Sequence, residues 1–257
     1  MTEFVKVERD RGILTVTLTR ADKKNALTND MYGALADAVE GAETDGKTRV
    51  ILLQADGDMF CAGNDISDFA KYSAGQAPAE KHATRFLHAL ARSSRPIVAA
   101  VQGRAVGIGT TMLMHCDMLL LAEGTLLSTP FVNLALVPEA ASSLLMPARI
   151  GHVRAFEMFA LGEPVTATDA VAWGLANRVV PAEALRAQAR EVAERLVAQP
   201  LGALIATKQL VRQPQALIDH MQAEAEVFAQ RLRSAEAAEA FAAFGERRAP
   251  DFTRVAG

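Results

Sequence analysis

Residues 96–109 read Pro96-Ile97-Val98-Ala99-Ala100-Val101-Gln102-Gly103-Arg104-Ala105-Val106-Gly107-Ile108-Gly109, and this stretch decides the fold class. The short apolar run at its start is typical of a strand that is buried on both faces. A glycine loop follows, from Gly103 to Gly109, and a short helix is expected from Thr110 to His115. A buried strand that leads through a glycine loop into a helix predicts an α/β protein with parallel strands.

Further strands and helices are predicted on either side of this stretch. The strands are rich in branched apolar residues and cover Ile13 to Thr19, Arg49 to Gln54 and Met118 to Ala122. The helices between them cover Asp30 to Glu43, capped by Thr28 or Asn29, and Glu80 to Arg92. From Ser142 onward, apolar residues recur mainly at helical spacing. The sequence therefore predicts an α/β core followed by a helical C-terminal part.

The composition excludes several classes of protein. The chain has 257 residues, of which 50% are hydrophobic and 22% charged, as is typical of a globular protein. A net charge of −3 provides no basic excess for binding nucleic acid. The N-terminal residues are too charged for a signal peptide, and no apolar run approaches the ~18 residues of a membrane span. Only Cys61 and Cys116 are present, so no disulfide framework is expected and a cytoplasmic location is predicted.

A second glycine loop, Phe60-Cys61-Ala62-Gly63-Asn64-Asp65-Ile66, follows the predicted strand that ends at Gln54. Ligands of open α/β sheets bind at the carboxyl ends of strands, where both loops lie. Two backbone N–H groups from such loops can bind one oxygen and form an oxyanion hole. Two alternatives remain open. Both loops could be tight turns, or Gly107-Ile108-Gly109 could belong to a dinucleotide site, with Met112 replacing the third glycine and Glu123 following the next strand.

Several motifs together resemble the enoyl-CoA hydratase/isomerase (crotonase) superfamily. They are Lys24-Asn25-Ala26-Leu27, the loop 60–66, the loop 103–109, the segment Ala170 to Val179, and the C-terminal segments Ser234 to Phe241 and Phe244 to Phe252. The resemblance spans nearly the whole chain, and the order and spacing of the motifs make it specific.

This resemblance implies a fold, an assembly and a ligand. The fold would be a spiral of ββα units over residues 1–195, with a helical trimerisation region over 196–257. The chain would form a homotrimer or a dimer of trimers and bind an acyl-CoA thioester. Coenzyme A would be part of the substrate, with no permanently bound cofactor and no metal, in agreement with the lack of any His/Cys cluster.

The resemblance also implies roles for particular residues. The backbone N–H groups of Asn64 and Ile108 would form the oxyanion hole. Residues matching the coenzyme A site are Ala26, Ala62, Asp65 and Ile66 around the adenine, and Phe244 and Arg247 near the C-terminus. Arg247 suits a phosphate partner, although an ordinary exposed helix charge is an equal alternative.

The acid–base residues decide which reaction of the superfamily is expected. A hydratase uses two glutamates, and their positions hold Thr111 and Phe131 here. Neither can move a proton near neutral pH, which argues against hydration. Glu139 instead matches the single base of the Δ3,Δ2-enoyl-CoA isomerase branch, although Ala140 and Ala141 follow where that branch often has two glycines.

The prediction is an isomerase that moves a double bond from the 3 to the 2 position through an enolate, with Glu139 as acid and base. Asp68 or Glu80 could assist. A carboxylate ahead of a helix could also serve only to favour the helix dipole. The alternatives are a hydratase or another reaction of the superfamily, such as thioester hydrolysis, and an acyl-CoA-binding protein without catalysis.

Overall fold

The computed structural model describes residues 2–65 and 81–255. Ile66, Asp68 and Glu80 therefore lie outside the described residues. Within the described ranges, no helix is both long and apolar enough to cross a bilayer.

The main sheet contains six strands in the order β1-β2-β3-β4-β6-β9, and a small sheet contains β5-β7-β8. The strands are β1 Val5–Asp10, β2 Ile13–Leu18, β3 Val50–Ala55, β4 Ile97–Val101, β5 Arg104–Val106, β6 Met118–Ala122, β7 Leu126–Ser128, β8 Val165–Thr166 and β9 Arg178–Val180. From β2 to β9 all neighbours in the main sheet are parallel, and only β1 runs antiparallel to β2. The prediction of a mostly parallel sheet is confirmed.

The helices alternate with the strands in the first part of the chain and dominate the last part. They are α1 Asn29–Thr44, α2 His82–Arg92, α3 Ile108–Thr111, α4 Ser142–Ile150, α5 His152–Leu161, α6 Ala167–Trp173, α7 Leu185–Val197, α8 Leu201–Val211, α9 Pro214–Leu232 and α10 Ala235–Glu246. Thr28 caps α1 by accepting a hydrogen bond from the Met31 N–H, as one of the two predicted caps. The predicted helix 110–115 begins earlier, at Ile108, and continues as a 3₁₀ turn from Met112.

Helices cover both faces of the main sheet. Leu14 and Ile51 face the side of α1 and α2, whereas Ile13 and Val50 face the side of α7. Successive residues of a strand point to opposite faces, so a strand covered on both sides must be apolar at every position. This is why β3 and β4 read as continuous apolar runs. The predicted boundary between 195 and 196 falls within the last turn of α7 and remains a prediction.

Candidate active site

The two glycine loops and the segment around Leu27 form one connected backbone structure. The Cys61 N–H donates to the Arg104 carbonyl at 3.1 Å, and the Val106 N–H donates to the Cys61 carbonyl at 3.0 Å. On the other side, the Leu27 N–H donates to the Gly63 carbonyl at 2.8 Å and the Asp65 N–H donates to the Leu27 carbonyl at 2.9 Å. The loop 60–65 is therefore held between its two neighbours like a short strand.

Glycine is required where these loops pack most closely. Gly63 has a φ of +96°, and a Cβ atom there would lie 3.0 Å from the Val106 carbonyl oxygen. A Cβ atom on Gly109 would lie 2.7 Å from the Cys61 carbonyl oxygen. Larger residues would push the two loops apart or strain the backbone. The glycines thus fix the distance between the loops, and with it the position of the peptide groups beside them.

Two backbone N–H groups at this junction are available to a ligand. Among the described residues, neither the Asn64 N–H nor the Ile108 N–H has a hydrogen-bond acceptor. Ile108 is the first residue of α3, where a helix leaves its N–H groups without partners. Buried backbone donors are almost always paired, so two donors of this kind beside a cavity indicate a binding site for an oxygen atom.

Two cavities meet at these N–H groups. The inner cavity, about 450 Å³, lies between α1, α2 and α9, and the outer cavity, about 570 Å³, opens towards α10. Both are lined by Asn64, Asp65, Ile108 and Phe228. The inner cavity has mainly apolar walls from α9, formed by Met221, Ala225, Phe228, Ala229 and Leu232. An elongated ligand could therefore pass the two N–H groups and occupy both cavities.

Glu139 lies in the wall of the inner cavity, in the loop that leads into α4. Thr111, at the end of α3, donates a hydrogen bond from its hydroxyl to Glu139 Oε1. No cation among the described residues pairs with this carboxylate. Burial raises the pKa of Glu139 to about 8, the Thr111 hydroxyl opposes this rise, and the negative charge of Glu224 adds to it. A carboxyl with such a pKa can both accept and return a proton near neutral pH.

The Thr111→Val variant is expected to raise the pKa of Glu139 further, because the donated hydrogen bond stabilises the ionised carboxylate more than the protonated carboxyl. Any activity that needs ionised Glu139 should then begin at higher pH, so the acid limb of the pH–rate profile moves upward. Thr111→Ser, which keeps the hydroxyl, is the matched control and should retain the wild-type profile. Identical profiles for the valine and serine variants would show that this hydrogen bond does not control Glu139.

Comparison with known proteins identifies the family. The family model described as "Enoyl-CoA hydratase/isomerase" matches residues 8–255. The chain belongs to the enoyl-CoA hydratase/isomerase family. The 1,2-epoxyphenylacetyl-CoA isomerase of Escherichia coli is 32% identical over 260 residues, covering 98% of this chain and 99% of the relative. Enoyl-CoA delta isomerase 2 of Rattus norvegicus is 31% identical over 212 residues, covering 81% of this chain and 54% of the relative.

Solved structures agree with this assignment. The enoyl-CoA hydratase/isomerase of Pseudoalteromonas atlantica superposes with a TM-score of 0.92 at 37% identity, covering 97% of this chain and 100% of that one. The predicted α/β crotonase fold and the predicted superfamily are therefore confirmed, and the chain is an enzyme of this superfamily. Curated relatives at 29 to 30% identity carry hydratase names, so relatives of both kinds exist.

The structure brings together most of the site residues that the family resemblance predicted. Asn64 and Ile108 lie where the two cavities meet, and Glu139 lies in the inner one. Residues predicted for coenzyme A that line the outer cavity are Ala26, Ala62, Asp65 and Phe244. The Asp65 carboxylate pairs with Arg20 at 2.6 Å, which fixes its side chain. Ile66 lies outside the described residues.

Arg247 does not line the outer cavity, whereas its neighbours Phe244 and Arg248 do. It ends α10 in the left-handed conformation, with a φ of +56°, and is exposed. Its neighbour Arg248 lines the outer cavity and is held by Glu239 and Glu246. Within this single chain, Arg248 is therefore the arginine beside the outer cavity, and the role of Arg247 stays a prediction.

Sequence reasoning missed two groups of the site. In the sequence Thr111 stands out only because its position lacks a carboxylate, whereas in the structure its hydroxyl contacts Glu139. Glu224 carries no motif, yet it is buried on α9 and contacts the same loop at Ala141. The signal is its position between Met221 and Phe228 in an apolar stripe that begins at Leu217 and whose spacing predicts an amphipathic helix. A carboxylate in such a stripe must find hydrogen-bond donors, because burying an unpaired charge is costly.

Proposed function

We propose that this enzyme converts 3-enoyl-CoA thioesters to 2-enoyl-CoA thioesters, with Glu139 as its single acid–base group. The observation that carries the proposal is the position of Glu139. It is a carboxylate with a raised pKa and no described cation partner, beside two available N–H groups. The two positions where a hydratase of this family carries glutamates hold Thr111 and Phe131, both buried. Moving a double bond needs one such group, whereas adding water needs groups that activate water and protonate carbon.

The reaction begins with the proton on the carbon next to the thioester carbonyl. Glu139 removes this proton, and the electron pair of the broken C–H bond moves into a dienolate. The dienolate oxygen accepts hydrogen bonds from the Asn64 and Ile108 N–H groups. One such donor contributes about 3 to 4 kcal/mol to transition-state stabilisation in enzymes with this kind of site. Glu139 then returns the proton to the γ carbon, which leaves a conjugated double bond and no net loss of atoms.

The raised pKa suits both halves of this cycle. A base of very low pKa could not hold the proton long enough to return it, and one of very high pKa would be protonated at working pH. Because the free enzyme needs ionised Glu139, kcat/KM should fall as the pH drops below the raised pKa of about 8.

The substrate would occupy both cavities. The acyl chain would lie in the inner cavity against α9, and the thioester oxygen would lie at the Asn64 and Ile108 N–H groups. Coenzyme A would extend through the outer cavity past Ala62, with Phe244 and Arg247 near its far end. It enters and leaves with each substrate, so no permanently bound cofactor is needed.

The proposal includes assembly into a homotrimer or a dimer of trimers in the cytoplasm. Its support is an exposed set of apolar side chains on two helices, α5 and α8. Val153 and Phe156 are 78% and 62% exposed, and Leu210 and Val211 are 87% and 79% exposed. Large apolar side chains that are exposed in the single chain can be buried when chains associate.

Product analysis of the wild-type enzyme tests the proposed reaction. Incubation with a 3-enoyl-CoA should produce the absorbance of a conjugated thioester and a single 2-enoyl-CoA product by chromatography. A 3-hydroxyacyl-CoA product would identify a hydratase, and free coenzyme A would identify a thioesterase. Tight binding of acyl-CoA without turnover would identify a binding protein. Each of these three results would contradict the isomerase.

A further inference from the structure

We infer that Glu224, on α9, is a positioning residue that fixes the loop of Glu139 and sets the protonation of its carboxyl group. This inference rests on the proposed role of Glu139 as the catalytic base. Glu224 belongs to the helix that forms the apolar wall of the inner cavity, and it is only 7% exposed. A carboxylate so deeply buried needs a structural or functional reason, because its desolvation is costly.

Both carboxylate oxygens of Glu224 accept hydrogen bonds from residues at the start of α4. Oε2 accepts a hydrogen bond from the Ala141 N–H at 2.6 Å. Oε1 accepts from the Ser143 N–H at 3.0 Å and from the Ser143 hydroxyl at 2.5 Å. Ala141 occupies the cap position of α4 and has no side-chain oxygen, so Glu224 replaces the missing cap from another helix.

The residues held in this way directly follow Glu139. Ala140 and Ala141 have φ values of +62° and +56°, a conformation that L-residues adopt rarely. It persists only where surrounding contacts enforce it. Glu224 holds the Ala141 N–H, and the Nε2 of the buried His115 contacts the Ala140 carbonyl oxygen at 2.8 Å. The backbone after Glu139 is therefore held from two sides, from α9 and from the 3₁₀ turn after α3.

The charge of Glu224 also affects Glu139 directly. A neighbouring negative charge disfavours the ionisation of a carboxyl group, and hydrogen-bond donors favour it. Glu224 has three donors and Glu139 has one, the Thr111 hydroxyl. Burial, which the single Thr111 donor opposes only in part, and the neighbouring charge of Glu224 raise the pKa of Glu139, as suits a group that carries a proton between two carbon atoms.

The remaining ionisable groups near the two carboxylates are the same in the variants proposed below. Asp65 is paired with Arg20, and Lys81 and His88 line the inner cavity from the side of α2. His220 lies one helical turn before Glu224, and its Nε2 is 3.7 Å from Glu224 Oε1 and 2.8 Å from the Ser143 hydroxyl oxygen. Burial lowers the pKa of His115 to about 3, so His115 contributes no charge near neutral pH. A change in the titration of Glu139 in Glu224→Gln can therefore be assigned to the loss of the Glu224 carboxylate together with its contact to His220.

Two variants of Glu224 separate its charge from its position. Glu224→Gln removes the negative charge, so Glu139 ionises more easily and the acid limb of the pH–rate profile should move to lower pH. Its kcat should fall by about 10- to 100-fold, because small displacements of a catalytic group have effects of this size. Glu224→Asp keeps the charge but shortens the side chain, so kcat should fall while the pH midpoint stays near that of the wild type. In both variants KM should change by less than about threefold.

Glu226→Gln is the matched control, since Glu226 is exposed on the same helix. It should leave kcat and the pH profile unchanged. Thermal unfolding of each variant establishes that it is folded at the assay temperature. If Glu224→Gln does not fold, Glu224→Asp still tests the positioning role through kcat. Wild-type kcat in the aspartate variant, or an unchanged pH midpoint in a folded glutamine variant, would overturn the inference.

Infrared titration tests the inference without turnover. The carboxyl band of protonated Glu139 is identified by its absence in Glu139→Gln. Its midpoint should be near the raised pKa of about 8 in the wild type, lower in Glu224→Gln and unchanged in Glu226→Gln. An equal midpoint in wild type and Glu224→Gln would overturn the inference, even if the wild type does isomerise 3-enoyl-CoA. A lowered midpoint in a protein that does not isomerise would support it while contradicting the proposed function.

Discussion

The Glu139→Gln variant is expected to isomerise 3-enoyl-CoA about 10³-fold more slowly than the wild type, within the range that general acid–base groups contribute. Glutamine has nearly the same shape but cannot accept a proton from carbon at any working pH. Because the change leaves the two N–H groups and both cavities intact, binding of a saturated acyl-CoA should be retained. The loss of activity is checked by the rate of conjugation, measured above the pKa of Glu139. The retained binding is checked by calorimetry with the saturated acyl-CoA.

The control for this variant is Glu226→Gln, which makes the same change at an exposed position. It should keep wild-type activity. If Glu139→Gln kept activity within about threefold of the wild type, Glu139 would not be the base. Asp68 and Glu80 would then be the carboxylates to test, since Asp65 is already paired with Arg20.

The Ile108→Pro variant is expected to lose about 10²- to 10³-fold in kcat, the usual effect of removing one donor from an oxyanion site. Proline lacks a backbone N–H, so this change removes the donor itself. Ile108 is the first residue of α3, a position where proline is well tolerated in helices. The N–H groups of Thr110 and Thr111 that bond to the Gly107 carbonyl remain in place. Steady-state kinetics and the circular dichroism spectrum check the effect and the fold.

The matched control for the proline variant is Ile108→Ala. It removes much of the same buried side chain but keeps the N–H, so it measures the loss of packing alone. Its kcat should fall less than about tenfold, well below the loss expected for a missing donor. Equal activity of the proline and alanine variants would mean that the Ile108 N–H does not hold the substrate oxygen.

Much of the sheet could be predicted because its strands are covered on both faces. β3, β4 and β6 are apolar along most of their length, and β2 alternates branched apolar residues with threonines, so these patterns are visible without knowing their partners. β1 was missed because it is an edge strand, exposed after Val5 and rich in charged residues. The small sheet was missed because β5 lies within a glycine loop and only its pairing with β7 makes it a strand. Strands of two or three residues depend on tertiary contacts that local sequence does not specify.

The candidate site was predictable where it depends on backbone and on family motifs. The two glycine loops indicated a pair of N–H donors, and the family resemblance indicated Glu139. The side chains that adjust Glu139 could not be predicted, because Thr111 and Glu224 are 28 and 85 residues away from it. Their proximity follows from the packing of α3 and α9 against the loop before α4. The left-handed Ala140 and Ala141 show the same limit, since alanine does not indicate this conformation.

The most direct test of a single-base isomerase is the reaction of 3-enoyl-CoA in water labelled with oxygen-18, using the wild type and Glu139→Gln. Mass spectrometry of the products reports both the bond rearrangement and any addition of water. The account predicts that the wild type forms 2-enoyl-CoA without the label and that Glu139→Gln forms almost none. Label in a 3-hydroxyacyl-CoA or in a released carboxylic acid, or equal 2-enoyl-CoA formation by both proteins, would contradict it.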